Sequence, residues 1–415
     1  MKSIAFVLAF LFGVSLQVLA DNPAKSGDKF DPTPHIMHHI SDAHQFHIAG
    51  NLYLPLPCIA YSSEGGFFFS MSSAFDYDHG LGHSKKAIGG YMIYHDQLMR
   101  VVGDFPTEAI DITVEMEMPS SSKGSGQTLS NSGLTDNEAE TNSTSTTPEP
   151  MVMYKGQGFR LEAASALQGA SSWQDLSLTK NVFTMLLVFL ILIWIFSVIA
   201  KSYKRREGQA PKGLQSLIEP VIVFLKDQVV KPSIGPKWEK YFPFVMCLFF
   251  FILLSNLMGL IPLFPGSANV TGNLGVTMVL AIFTFVVVNL SANKHYWEHV
   301  LWMPGMPLAL KPLLALLEVV GLFIKPVTLL IRLFANITAG HIMILSLTSL
   351  IFVFSNQGES IAGALGGGAI AVPFVFAMNF LELFVAFLQA FIFSLLTCLY
   401  IGAAVEEPHH EGAQH

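Results

Sequence analysis

The chain has 415 residues, 52% of them hydrophobic and only 13% charged, with a mean hydropathy of +0.50, which excludes an ordinary water-soluble domain. Its 23 Lys and Arg against 30 Asp and Glu leave a formal charge of -7, and no long basic run offers a footprint for nucleic acid. Three cysteines build neither a disulfide framework nor a paired-cysteine metal site, and they read as packing residues.

Residues 1–20 read as a secretory signal: Lys2, an apolar stretch from Ile4 to Leu19, then a small-residue cleavage site ending at Ala20. Cleaved or retained as an anchor, it starts residue 21 onward on the outer side of a bacterial-type membrane. Residues 21–118 carry short aromatic and β-branched runs punctuated by Gly and Pro, such as Phe67-Phe68-Phe69 and Ala87 to Tyr94, and predict a small β-rich extracytoplasmic domain. Its histidines His35, His38, His39, His44 and His47 could gather a transition metal if folded onto one surface, but a solvated polar segment is the plainer reading, and no metal site is assigned. Residues 119–150 shift to Ser, Thr, Gly, Asn and acids, a linker too polar to bury a core. Residues 151–181 form a pre-membrane segment.

Membrane segments follow over residues 182–408, each span needing about 20 apolar residues to cross roughly 30 Å of hydrocarbon. Val182 to Ala200, Phe244 to Phe264 and Leu274 to Leu290 meet that length. The polar stretch Lys201 to Phe242 carries nine Lys or Arg against four acids and is therefore cytoplasmic, whereas Gly266 to Asn273 has no charge and is external. Lys294 to Lys311 returns to the cytoplasm. Two longer apolar blocks, Pro312 to Phe354 and about Gly368 to Val405, would each exceed about 50 Å as a helix, so they are tilted or broken, with Pro326 and Pro373 as break points. Residues 409–415 form a cytoplasmic tail. The expectation is an all-α polytopic membrane protein with about five membrane helices, two of them long C-terminal ones, preceded by the β-rich region.

Within the last two blocks stand side chains that a bilayer disfavours: Glu318, Lys325, Arg332, His341 and Glu382. A charge near the bilayer centre costs at least about 2.5 to 3.5 kcal/mol on insertion scales, which marks transport pathways. Arg332 cannot shed its proton, so it can attract a carboxylate but cannot relay. Asn336, four residues on, shares its face, whereas His341, nine residues on and about 900° around, points the opposite way. Glu382 and Gln389, seven apart, share a stripe about 10 Å long. His and Glu exchange protons near neutral pH when their surroundings are tuned. Structural alternatives stand beside each: Arg332 as a cation bonded to backbone carbonyls, His341 as an interior histidine, Glu382 as a buried carboxylic acid, Gln389 and Asn336 as bridges between helices, Glu318 and Lys325 as snorkelling residues.

Leu330 to Gly340 reads Leu-Ile-Arg-Leu-Phe-Ala-Asn-Ile-Thr-Ala-Gly, and this resembles the signature of the subunit a family of F-type ATP synthases, an Arg-Leu-Phe-x-Asn core followed by Ala-Gly. Glu318, Lys325-Pro326-Val327, Asn256-Leu257 before Leu260-Ile261-Pro262, and Leu388 to Phe393 match too, so the resemblance covers roughly residues 175 to 408. It implies that Arg332 faces the carboxylates of a rotating c-ring and that His341 and Glu382 are the paired relay residues, with acid and imidazole exchanged relative to some bacterial members. Asn336, Gln389 and Glu318 complete the implied proton path. Gly259 stands where some relatives carry Asp, and residues 21 to about 170 have no recognised counterpart. The implied protein is an ion-translocating stator subunit of the bacterial inner membrane, with a periplasmic N-terminus and a cytoplasmic C-terminus. Its partners would be the c-ring, the subunit b peripheral stalk and the rest of the complex. No phosphate loop, nucleophile motif or zinc site is present, so neither a cofactor nor a catalytic residue is assigned and ATP chemistry would belong to a partner. A stand-alone ion-coupled secondary transporter is the alternative, but it calls for internal repeats, and none is visible.

Overall fold

The computed structural model describes residues 40–115, 151–164 and 173–406, apart from short stretches at 50–51, 64, 79–81, 104, 107, 156, 262–265, 267, 303–306, 308–310 and 356–359, together with Thr33 and Ile36. The expected signal, linker and tail lie outside the described residues, as do His35, His38, His39 and the side chain of His47. The chain divides into two compact units, residues 55–178 and the remainder.

The smaller unit is built from antiparallel strands. Its largest sheet has five, in spatial order Thr113–Glu115, Met151–Tyr154, Gln157–Ala163, Gln97–Val102 and Tyr91–Tyr94. Tyr91–Tyr94 and Gln97–Val102 are joined by His95 and Asp96, both at positive φ, the conformation a tight two-residue hairpin demands. A second sheet orders Trp173–Asp175, Pro57–Ser62 and Gly66–Met71. The segment 151–181, expected as a separate pre-membrane stretch, supplies the strands Met151–Tyr154, Gln157–Ala163 and Trp173–Asp175 to this unit, and Gln157–Ala163 pairs with Gln97–Val102 in the register Arg160 to Val102. Two apolar clusters hold it together, one around Cys58, Phe75, Ile93 and Trp173, the other around Met92, Val101, Val152 and Leu161.

In the larger unit, helix α1 (Lys180–Arg205) is capped by Thr179, whose side chain accepts from Val182 N at 3.4 Å, and Lys204 and Arg205 lie at its C-terminal end, where cations favour the helix dipole. Helix α2 (Leu214–Phe224) runs through a π-helical turn, Leu225–Val230, and a further turn, Lys231–Ile234, before α3 (Trp238–Leu260). Part of the stretch expected as a polar cytoplasmic loop is therefore helical, because Ile218, Val221, Leu225 and Val229 present an apolar stripe that packs on the core. Helix α4 (Leu274–Ser291) is capped by Asn273, and α5 (Lys294–Leu301) follows. Asn293, just before α5, donates to Val405 O at 2.9 Å and so ties the end of the last helix.

Helices α6 (Lys311–Phe354, 44 residues) and α7 (Ile361–Val405, 45 residues) run unbroken through Pro326 and Pro373. At 1.5 Å per residue each measures about 66 Å, twice the hydrocarbon thickness, so neither can stand perpendicular in a bilayer. The break expected at Pro326 and Pro373 is not found. Among the described residues, five helical runs are long and apolar enough to cross a membrane. Cys58 and Cys398 are buried as expected, whereas Cys247 is exposed and packs into no core.

Candidate functional site

Helix α6 carries Glu318, Lys325, Arg332, Asn336 and His341, and α7 carries Glu382 and Gln389. Where the two helices meet, His341 Nδ1 lies 3.5 Å from Glu382 Oε1. Glu382 is 4% exposed, and neither carboxyl oxygen accepts a hydrogen bond from any described residue. A buried carboxyl without donors is a costly arrangement that ordinary packing removes. Two glycines make room for the pair. A Cβ at Gly340 would lie 3.0 Å from Glu382 Oε1, and one at Gly259 of α3 would lie 3.5 Å from His341 Nε2 and 3.2 Å from the Ala268 carbonyl.

Gln389 is buried on the face of α7 that also carries Glu382. Around the pair runs a set of polar contacts on which sequence reasoning assigned no site. Asn256 donates to the Ala386 carbonyl at 3.1 Å and accepts from the Thr271 hydroxyl, and Thr338 on α6 donates to the Gly272 carbonyl at 3.4 Å. The 268–273 loop is thereby fixed beside His341.

Arg332 points elsewhere. It is half-buried on a face of α6 that it shares with the buried Leu329, the half-buried Thr328 and the exposed Ala335 and Asn336, and among the described residues it forms no ion pair. Its charge reaches Tyr400 of α7. Toward the N-terminal end of α6, the Lys325 ammonium lies 5.5 Å from the centre of the Tyr400 ring, and Glu318 acts electrostatically on Tyr296. Lys325, Tyr296 and Tyr400 line a cavity of about 20 Å³ with Thr284 and Asn289, whose Oγ1 and Oδ1 find no partner among the described residues. That is room for about one water, which both atoms could bind. Tyr296 and Tyr400 carry no charge at neutral pH, so no charge in an apolar run marks them in the sequence.

The heights along α6 separate these groups. Nine residues put His341 about 13 Å from Arg332, and fourteen put Glu318 about 21 Å away on the other side. Along α6 the sequence-derived residues thus lie at separate heights, Glu318 and Lys325 on one side of Arg332 and His341, which meets Glu382 of α7, on the other.

A family model described as ATP synthase A chain matches residues 182–402, more than half of the chain. The chain belongs to the ATP synthase A chain family. It is 41% identical over 247 residues to ATP synthase subunit a of Chlorobium phaeobacteroides (strain DSM 266 / SMG 266 / 2430), covering 58% of this chain and 68% of that relative. The subunit a of Chloroherpeton thalassium is 42% identical over 254 residues (58% of this chain, 70% of the relative), and that of Myxococcus xanthus 37% over 243 (57% and 75%). Membership in this family makes the chain a multi-pass membrane protein and a component of an F-type ATP synthase. A second model, a domain of unknown function, matches residues 35–119.

Proposed function

We propose that this subunit a conducts protons along two offset half-channels, to and from the carboxylates of a c-ring, coupling the proton-motive force to rotation. The observation that carries the reading is Arg332, a half-buried permanent cation of α6 with no carboxylate partner among the described residues, at a height between Glu318 and Lys325 on one side and His341 on the other. A cation so placed needs a carboxylate supplied from outside the chain.

A proton arriving from the outer side passes by way of His341 and Glu382, with Asn256 and Gln389 holding the path polar, and protonates a ring carboxylate. As the ring turns, that carboxyl comes round to the other side of Arg332, whose charge favours its ionised form. The released proton leaves past Glu318, Lys325 and the Tyr296–Tyr400 cavity toward the cytoplasm. Arg332, unable to carry a proton itself, blocks a direct leak between the clusters. Each charge moved is driven by about 2.3 kcal/mol per 100 mV, so several transfers are needed for each phosphoanhydride bond made in partner subunits. Subunit b of a peripheral stalk is the expected stator partner, with the N-terminus periplasmic and the C-terminus cytoplasmic.

The test is Arg332→Ala in the assembled complex, measured as ATP-driven acidification of inverted membrane vesicles. Pumping should be abolished while the complex still purifies intact; retained pumping would refute the assignment.

A further inference from the structure

Just before the strand Gln45–Ala49, a short segment straps the start of α1. The Ala43 carbonyl accepts from the Lys180 N–H at 3.0 Å, and one carboxylate oxygen of Asp42 accepts from the Asn181 N–H at 3.0 Å. Thr179 takes the next two donors, Val182 N–H through its hydroxyl at 3.4 Å and Phe183 N–H through its carbonyl at 2.9 Å. The four N–H groups that a helix start leaves open are thus all satisfied. Phe46 packs edge-on against Phe183 at 5.3 Å and seals the join.

The second oxygen of Asp42 reaches further than capping α1 requires. It accepts from the Thr179 hydroxyl at 3.0 Å and from the side-chain amide of Asn273 at 3.4 Å. Asn273 caps α4 with its own oxygen, which accepts from the Gly275 N–H at 2.8 Å, so its NH2 group is the part that faces Asp42. Burial pushes the Asp42 carboxyl above its usual range, so the Asn181 and Thr179 bonds and the Lys180 charge offset only part of the cost of placing it there.

Asn273 also ends the 268–273 loop, in which Ala268, Asn269, Val270 and Thr271 are buried. The Asn269 side chain accepts from the Gly272 N–H at 2.9 Å and fills the space a Cβ at Gly272 would need. At the other end of the loop, the Ala268 carbonyl and the His341 ring lie on either side of Gly259. Asn256 and Thr338 hold the loop from within the membrane domain, and Asp42 holds its Asn273 end. Asp42 and Thr179 both fall outside residues 182–402, the part of the chain that the family model matches, and Asp42 falls within residues 35–119.

We propose that Asp42 is a positioning residue of the outer access path: reaching in from the N-terminal region, it clasps Asn273 and so sets the 268–273 loop against the His341–Glu382 pair. The inference rests on the half-channel reading above. His341 and Glu382 stand 3.5 Å apart, just beyond direct hydrogen-bond reach, so a small shift in what packs against them decides whether a proton crosses directly, through one water, or not at all. The N-terminal region then serves the proton path of the domain it precedes without supplying a proton carrier.

The test uses the whole complex in proteoliposomes with the catalytic head outward, so that the outer face of the membrane domain meets the lumen. ATP synthesis driven by an imposed gradient is measured per assembled complex. Asn273→Ser keeps a good cap on α4 and changes no charge, but is too short to reach Asp42. Asp42→Asn keeps the shape and turns an amide toward the Asn273 amide. Each should lower the rate about fivefold or more, the scale of a misplaced proton-transfer group, and Asn273→Ser should also move the midpoint of the rate against lumenal pH. The exchange Asp42→Asn with Asn273→Asp restores an amide–carboxylate bond in the reverse sense, keeps a capping side chain on α4, and should return the rate to within about twofold of wild type. Wild-type rates and pH midpoint in both single variants would overturn the role, as would an exchange no better than either single change. Failure of all three variants to assemble would make the clasp a structural staple and overturn it too. Arg332→Ala, run alongside, separates the two readings. If it still makes ATP, the half-channel assignment fails; if it is inactive while Asn273→Ser and Asp42→Asn match wild type, only the positioning role fails.

Discussion

Both units of the chain bury apolar clusters, but they differ in what else they hide and in what they turn outward. In residues 55–178 the buried positions include Cys58, Phe75, Met92, Ile93, Leu98 and Trp173, with few polar ones such as Ser62, Ser72, Ser84 and Asp96 among them. In the helical unit the outward positions include Leu186, Phe189, Trp194, Ile282, Phe283 and Phe384, while Thr184, Asn256, Thr277, Thr284, Glu382, Gln389 and Thr397 are buried. Water rewards the first pattern. A bilayer offers no such reward for hiding apolar groups, and it penalises polar ones unless they turn inward. Polarity buried in the helical unit is therefore the part of the chain most exposed to functional explanation, whereas the strand-built unit is explained by its core.

Mutations can break or sharpen that contrast. The largest effect after the loss of Arg332 is expected at the buried pair: His341→Ala or Glu382→Ala should slow ATP-driven pumping about tenfold or more, the scale of a lost proton-transfer group. The exchange His341→Glu with Glu382→His should recover part of the flux of either single change. No recovery would leave two unrelated buried residues rather than a relay. Next, Trp173→Ala removes an indole that is 1% exposed and packs edge-on against Tyr91 at 5.3 Å, and should destabilise the strand-built unit by about 3–5 kcal/mol in thermal unfolding. Pumping by complexes that do assemble should stay unchanged, and a parallel loss of pumping would tie that unit to the pathway. Placing a carboxylate at an exposed aromatic then tests the solvent itself. Phe189→Asp in α1 should cost about 2.5–3.5 kcal/mol of insertion and cut the yield of inserted protein. Phe67→Asp, at a still more exposed ring in the strand-built unit, should shift stability by no more than about 0.5 kcal/mol. Equal outcomes at the two sites would mean that both faces meet the same medium.

Legibility followed the range of the forces involved. The first, third and last two spans were readable from apolar length alone, since observed and expected bounds of the third differ by one residue. Helical periodicity turns Arg332 and His341 to different faces of α6, but only the packing of α6 on α7 brings His341 to Glu382. Whether Pro326 and Pro373 would break their helices was beyond the sequence, because neighbouring helices decide whether a missing backbone donor is tolerated. The pairing of Gln157–Ala163 with Gln97–Val102 spans the polar linker, and no local signal announces a partner so distant.

By itself the sequence determined the medium, the number of crossings, the family and the short run of ionisable residues that a membrane would otherwise exclude, because these depend on composition, period and spacing along one helix. Tertiary structure alone decided which of those residues meet. It brought α6 against α7 at Gly340 so that the His341 and Glu382 side chains approach, grouped Tyr296 and Tyr400 with Lys325, and strapped Asp42 across the starts of α1 and α4. Such meetings join residues tens to hundreds of positions apart, and only the closing of the chain upon itself fixes their distances.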